Sequence, residues 1–428
     1  MLDGSKSRAR QRMRRFPRWS AVFLAAFTLA ACARVHPHLS LPDMRLGEPS
    51  FFPTIEALTG SPIVGGNAVE VLLNGEEIFP AMLEAIHGAE RTITYAQYYY
   101  EDGPVARDVA EALAERCRAG VGVSVLLDAF GALAMPTDYT EVMRQSGCHV
   151  TFFRPLTQSV FDRANNRNHR RILVIDGRIG FTGGSGVSRK WMGNGRLENH
   201  WRDTDVRVEG PAVEYLQGAF AENWLEATGI LLGGEHYYPR PVLPRGPVYA
   251  QFIRSSPATG TFAMYSTFLL AIASARRAIF ITNPYLVLDE TMAEALATAV
   301  KRGVRVAVLV PGAIDHNIVR QASRGQFGRM LRAGIEIFEY RAGLLHAKTM
   351  VIDGVWSTIG STNLDNRSFA LNDELNVVIY NVVVAQRLER IFTEDLGYSE
   401  RVDYREWRRR GLVDRVLELL ARPIRDQL

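Results

Sequence analysis

The chain repeats itself. Ala110-Glu111-Ala112-Leu113 leads to Gly120 and the valine-rich stretch Val121–Leu127, and Ala293-Glu294-Ala295-Leu296 leads to Gly303 and Val304–Val310, an offset of 183 residues in both places. Each half opens with a helical pattern (Ile78–His87; Phe262–Ser274) and an aromatic-rich strand (Thr92–Tyr100; Ala278–Leu286). A second helix and strand pair follows in each (Glu141–Phe153; Phe327–Tyr340). Strands alternating with helices of about a dozen residues are βα units. Strands apolar on both faces belong to a sheet covered on both sides. The expectation is an α/β protein of two tandem domains, 66–235 and 248–400, each a mostly parallel sheet flanked by helices, with one active site between them. The Pro- and Gly-rich stretch Gly233–Pro247 breaks regular structure and reads as the linker.

A second repeat lies inside the first and carries chemistry. The second half has His346-Ala347-Lys348, then Asp353, then Gly360-Ser361-Thr362-Asn363. The first has His169-Arg170-Arg171, then Asp176, then Gly183-Gly184-Ser185-Gly186. His and Asp are both offset by 177 residues. On a strand, His346 and Lys348 project to one face, so an imidazole and an ammonium can meet a single phosphate. The Gly-Ser turns let backbone approach closely, with Ser361 and Ser185 as substrate contacts, and Asn363 adds an amide donor. Two such sets put imidazoles on opposite sides of phosphorus, which suits in-line displacement. The nine histidines form no HxH or HExxH cluster and there is no GxxxxGK[ST] loop, so neither a metal nor a nucleotide cofactor is indicated.

This duplicated pattern resembles the phospholipase D superfamily, known for its HxK(x)4D motif, over nearly all of residues 66–400. The segments 346–376, ITNPYLVLDE (281–290) and HWRDTDVRVEGPAV (200–213) are similar to the bacterial cardiolipin synthases. The resemblance implies a phosphatidyltransferase that moves a phosphatidyl group from one phosphatidylglycerol to another. It implies His169 as nucleophile and His346 as general acid and then base, with the reverse assignment open. Lys348 and Asn363 would hold the phosphoryl oxygens, and Asp203 and Glu374 would orient the histidines. Asp176 and Asp353 read as fold-stabilising ion-pair members of the motif. Two departures stand out: Arg171 replaces the first lysine, and Gly186 stands where the second half has Asn363. Arginine keeps the charge and can grip phosphate in bidentate fashion. Both histidines persist, which favours an active enzyme over an inactive lipid-binding protein. A phospholipase D that gives the phosphatidyl group to water shares the first half-reaction and remains open.

Composition bears on the partner. The net charge is +4, yet residues 1–31 hold seven bases against one acid, so the rest carries about −2. That disfavours a nuclease-type phosphodiesterase, whose substrate wants a positive surface. The basic start and the apolar run Trp19–Ala31 read as a signal peptide or N-terminal anchor (1–31), and Leu29-Ala30-Ala31-Cys32 resembles a lipobox that would acylate Cys32. The expected protein is a bacterial envelope lipoprotein at a membrane surface, with residues 32–65 as tether. Cys117 and Cys148 read as small buried residues, open to oxidation if the chain is exported. Residues 401–428 read as a C-terminal helix packed on the second domain. The tyrosines of Tyr95–Tyr100 read as buried strand residues, with those at the C-terminal end near the ligand.

Overall fold

A computed structural model describes residues 40–155, 165–256, 262–313, 317–411 and positions 415, 417 and 418. The expected signal segment and Cys32 lie outside the described residues, as does most of 412–428. From Leu41 onward the chain forms one compact unit.

The first half runs β1 (Val64–Leu73), α2 (Asn74–His87), β2 (Thr92–Gln97), α3 (Pro104–Arg118), β3 (Gly122–Asp128), α4 (Thr137–Gln145), β4 (His149–Phe153), β5 (Ile172–Ile175), β6 (Ile179–Gly183), β7 (Trp201–Arg202), β8 (Thr204–Glu209) and α5 (Val213–Thr228), preceded by α1 (Phe51–Thr59). The second half repeats it as β9 (Val248–Ser255), α6 (Ala263–Ser274), β10 (Ala278–Thr282), α7 (Glu290–Lys301), β11 (Arg305–Pro311), α8 (Asn317–Arg332), β12 (Glu336–Tyr340), β13 (Leu344–Leu345), β14 (Thr349–Ile352), β15 (Trp356–Gly360), α9 (Asn366–Ala370), β16 (Glu374–Tyr380) and α10 (Val382–Leu396). It closes with β17 (Ser399–Arg401) and α11 (Tyr404–Arg408). One continuous sheet has the order β17-β12-β11-β10-β14-β15-β16-β9-β1-β8-β6-β5-β2-β3-β4. The halves meet at the antiparallel pair β1–β9, and the order reads alike in both directions from there.

The sheet is mixed rather than mostly parallel. Only β2–β3–β4 and β10–β11–β12 are parallel; the strands carrying the duplicated motif are antiparallel to their neighbours. The reason is local. Asp176-Gly177 and Asp353-Gly354 have φ of 53° and 63°, and 55° and 68°, so each three-residue turn begins with two left-handed residues. Such a turn joins β5 to β6, and β14 to β15, as hairpins. Asp-Gly between apolar runs is the strongest short-range hairpin signal, and here it overrides the βα pattern.

The motif aspartates are therefore turn residues, and they are not placed among the site's reacting groups. Asp176 accepts the backbone N–H groups of Glu90, Arg91 and Thr92 at 2.7–3.0 Å. Asp353 does the same for Arg276, Arg277 and Ala278. They pin each hairpin to the strand beside it through backbone donors, not through the ion pairs the sequence suggested.

Each half has its own outer core, and a third core is shared. It joins Leu216, Phe220 and Trp224 of α5 to Leu388 and Ile391 of α10 across strands from both halves. Residues read as a tether form more than that: Phe51 and Ile55, one turn apart on α1, are fully buried with Met44 and Leu46 in the second half's core. The reading of 401–428 as one helix is replaced, within the described residues, by β17 on the edge of β12 and the short α11, whose Trp407 packs at Gly328 of α8. Cys117 and Cys148 are disulfide-bonded, Cα–Cα 5.5 Å, tying the end of α3 to the start of β4.

Replacing Asp353 by Ala strands three backbone donors and should cost about 2–3 kcal/mol of stability in urea unfolding, with turnover per folded molecule retained. Asn, which tolerates the left-handed conformation and keeps an acceptor, should cost less. Loss of turnover at full stability would make Asp353 part of the chemistry.

Candidate active site

The two histidines sit just ahead of β5 and β14, where each chain segment crosses to the other half. His169 donates its backbone N–H to Asp373 O at 2.9 Å, and His346 donates its own to Arg202 O at 2.8 Å. The residues before them pair in parallel with the residues before the carboxylates: Asn168 with Asp373, and Leu345 with Arg202. That register sets side chains opposite each other across the halves. His169 Nδ1 lies 2.9 Å from Glu374 Oε1, and His346 Nδ1 lies 2.7 Å from Asp203 Oδ2. Each imidazole is thus held by the carboxylate of the other half, and all four side chains are buried.

Further cross-half bonds stiffen the arrangement. Arg170, fully buried, donates to Glu374 O, Ala219 O and Asn223 Oδ1, while Asn223 donates to Asp373 Oδ2. Arg202 pairs with Asp395 of α10 at 2.9 Å. Asp128, at the C-terminal end of β3 and fully buried, accepts Asn168 N–H at 2.9 Å and so fixes the approach to His169.

Burial lowers His169 well below the ordinary histidine value, and the charges of Arg171 and Lys348 lower it further. Burial, then Lys348, brings His346 down to about 4 against the opposing pull of Asp203. These directions leave both rings neutral near neutral pH, and the carboxylate beside each Nδ1 assigns the ring proton there, which gives Nε2 the lone pair. The carboxylates differ. Burial pushes Glu374 up to about 7, only partly offset by the Ser361 hydroxyl and Arg171. Asp203 would also rise on burial, but His346 and Lys348 hold it well below the usual carboxylate range.

The cations also stand at the site. Lys348 Nζ lies 2.8 Å from His346 Nδ1 and 3.0 Å from Nε2, and bonds the His346 carbonyl oxygen. Arg171 is buried, donates to the carbonyl oxygen of His169, lies over the Tyr98 ring at 5.5 Å and keeps a buried Nε–H with no partner among the described residues. Asn363 is buried, its backbone held by the Ser368 hydroxyl, with no partner for Oδ1 among the described residues. So His169, His346, Lys348, Arg171, Asp203 and Glu374 come together.

Ser361 and Ser185 differ from their expected role, since their hydroxyls donate to Glu374 and Asp205 rather than facing a ligand. Tyr98, one of the strand-end tyrosines expected near the ligand, meets His169 edge-on at 4.7 Å. The sequence reading missed Trp191 and Trp201, which flank His346 at 5.3 and 5.2 Å between ring centres. Tyr98 and Asp128 lie at the C-terminal ends of parallel strands, the place where such sheets hold ligands, so a signal for both was present. Among the described residues no group of three His, Cys, Asp or Glu side chains is placed to hold a metal ion.

A family model described as cardiolipin synthase, PLD-like domain, matches residues 82–224 and 268–396. Cardiolipin synthase of Geobacillus kaustophilus is 34% identical over 363 residues, 84% of this chain and 72% of that protein. Cardiolipin synthase A of Pseudomonas putida is 36% identical over 351 residues, 81% of this chain and 72% of that one. In architecture the chain is similar to the crystal structure of Haemophilus influenzae phosphatidylserine synthase, with a TM-score of 0.62 at 13% identity, covering 87% of this chain and 97% of that one. At that identity the likeness concerns the fold alone.

The buried groups make stability depend on pH in opposing senses. Because both histidines are depressed, the unfolded chain binds more protons below 6.5, and stability rises with pH there. Glu374 is raised, so the folded chain binds more protons between 4.5 and about 7, and stability falls with pH across that window. Glu374→Gln removes the second contribution, so the melting temperature should climb more steeply between pH 4.5 and 6.5 than in the wild type. Parallel slopes would mean that Glu374 is ionised throughout.

Proposed function

This chain belongs to the cardiolipin synthase family with phospholipase D-like domains, and we propose that it condenses two phosphatidylglycerols into cardiolipin and glycerol through a phosphohistidine. The observation that carries the mechanism is the pair of buried, neutral imidazoles, each oriented by the opposite half's carboxylate. His169 Nε2 attacks phosphorus, the bond to the glycerol headgroup breaks, and His346 gives a proton to the departing oxygen. The hydroxyl of a second phosphatidylglycerol then attacks, His346 takes its proton, and the P–N bond breaks to return the lone pair to His169.

The unequal carboxylates support this division of labour. A group that shuttles protons passes through the imidazolium, which a firmly ionised Asp203 stabilises. A nucleophile needs its ring neutral, and Glu374, raised to about 7, does less to protonate it. Substrate binding prepares the acid: a phosphodiester anion offsets Lys348, whose charge, after burial, holds His346 down, so His346 Nε2 takes a proton from solvent before the first step and regains it from the acceptor hydroxyl in the second. Arg171, Lys348 and Asn363 hold the phosphoryl oxygens as charge builds.

Membrane association and export belong to the same reading. Exposed Phe130 and Leu133 follow Asp128, and exposed Leu197 lies between Trp191 and Trp201, which suits a phospholipid drawn from a bilayer. The Cys117–Cys148 bond suits an oxidising compartment, in keeping with a lipoprotein acylated at Cys32. Among the described residues no helix is long and apolar enough to cross a membrane.

On phosphatidylglycerol vesicles the enzyme should form cardiolipin, less of it as glycerol is added, by mass action. Phosphatidic acid alone would mean that water is the acceptor and the protein a phospholipase D. His169→Ala and His346→Ala should each lower turnover by about a thousandfold or more in protein that circular dichroism shows to be folded, beyond any change in melting temperature from the carboxylate left unpaired. Full activity in either would overturn the two-histidine mechanism. Cys32→Ser should leave the precursor unacylated by mass spectrometry, and an acylated variant would place the anchor elsewhere.

A further inference from the structure

The two half-sites orient their carboxylates by different means. The 177-residue register sets Gly183–Gly186 against Gly360–Asn363, so Gly184 stands for Ser361 and Gly186 for Asn363. In the second half the Ser361 hydroxyl donates to Glu374 Oε2. In the first half that hydroxyl is missing. A Cβ on Gly184 would lie 2.3 Å from Asp203 Oδ1, so the carboxylate itself fills the room. Its donors are the Thr204 N–H, 2.9 Å from Oδ1, and the indole N–H of Trp191, 2.8 Å from Oδ2. That is the same oxygen that meets His346 Nδ1 at 2.7 Å.

Trp191 also occupies the space that an asparagine at 186 would need. A Cβ there would meet the far corner of the indole at 2.8 Å. The ring is 1% exposed, held between Trp201 and Tyr99 at 4.4 and 5.4 Å, and crosses the His346 ring nearly at right angles. One bulky side chain therefore does the work of two small ones: it fills the volume left by Gly186 and supplies the donor left out by Gly184.

We propose that Trp191 is a positioning residue which fixes the Asp203 carboxylate and, through the shared oxygen, sets the proton affinity of His346. It touches no reacting atom. The proposal rests on the reading of His346 as proton carrier. Two N–H groups compete for Oδ2. With the indole donor removed, that oxygen turns wholly to His346 and favours the imidazolium, while Asp203 loses a bond that helps hold it ionised. The charged and titratable groups facing this pair are Lys348 from β14's approach, Tyr285, whose ring lies edge-on to His346 at 6.5 Å, Arg171 and His169 from the first half, and Asp205 beyond Asp203. None of them is altered by a change at 191.

Trp191→Phe keeps the aromatic bulk and deletes the N–H. Cardiolipin formation should fall about tenfold in kcat, with KM within about twofold, and the limb of the pH profile governed by His346 should move up by about half a unit. A purely structural role would scale the rate without moving the limb, and a superimposable normalised profile overturns the proposal. If wild type makes no cardiolipin, the functional reading fails on its own, and a second measurement still decides Trp191. In the ¹⁵N-tryptophan-labelled full chain, one of the six indole N–H resonances should lie downfield and shift on Asp203→Asn. If no indole responds, the bond is absent and the proposal falls, whether or not Trp191→Phe folds.

Discussion

Everything at the centre of this molecule depends on two histidine–carboxylate pairs that cross between halves. Neither half owns a complete histidine–carboxylate pair: His169 is held by Glu374, and His346 by Asp203. The crossing is imposed by backbone before it reaches the side chains, because the residues preceding each histidine and each carboxylate are themselves paired across the junction. The β1–β9 pairing and the shared core of α5 and α10 then become requirements of the chemistry, since a small shift between halves would separate both pairs together.

Burying so many ionisable groups is costly in stability, and each is retained with partners that fit the task. Asp395 and Arg202, or Arg170 with its carbonyl and amide acceptors, satisfy one another and hold the crossing rigid without facing a ligand. An apolar replacement of such a network is often neutral or stabilising in other folds. Here it would release the carbonyl of Glu374 and the backbone that aims the histidines, so function explains its presence better than stability does.

Much of this was legible in the chain and some was not, for physical reasons. A duplicated motif in constant register identifies both histidines and both cations, because a strand's alternation fixes which residues share a face, whereas Asp203 and Glu374 lie outside that register and were named by the family resemblance. The same register misled on Asp176 and Asp353: it says that two positions correspond, and nothing about what they touch. Their Asp-Gly turns held the missing information, and with it the antiparallel hairpins that make the sheet mixed. The serines of the Gly-Ser turns were misassigned for a related reason, since Ser361 and Ser185 sit at the site yet spend their hydroxyls on carboxylates. Trp191 carries no motif signal of its own. Its meaning emerges only beside Gly184 and Gly186, as the bulk that their missing side chains make room for. The burial of α1 was readable in part, because Phe51 and Ile55 recur one helical turn apart inside a stretch whose composition suggested a tether.

The duplicated site is symmetric in its skeleton and unequal in its electrostatics, and that inequality bears on how a two-step transfer avoids stalling. Two identical imidazoles beside one phosphate would compete to attack and to protonate. Burial keeps both neutral, but a carboxyl near 7 stands behind His169 and a firmly ionised one behind His346. When a phosphodiester anion offsets Lys348, the ring backed by full negative charge is the one that takes the proton. The other keeps its lone pair. Under the proposed mechanism, the substrate's own charge thus assigns the two roles, by offsetting the Lys348 charge that, after burial, holds the His346 ring neutral.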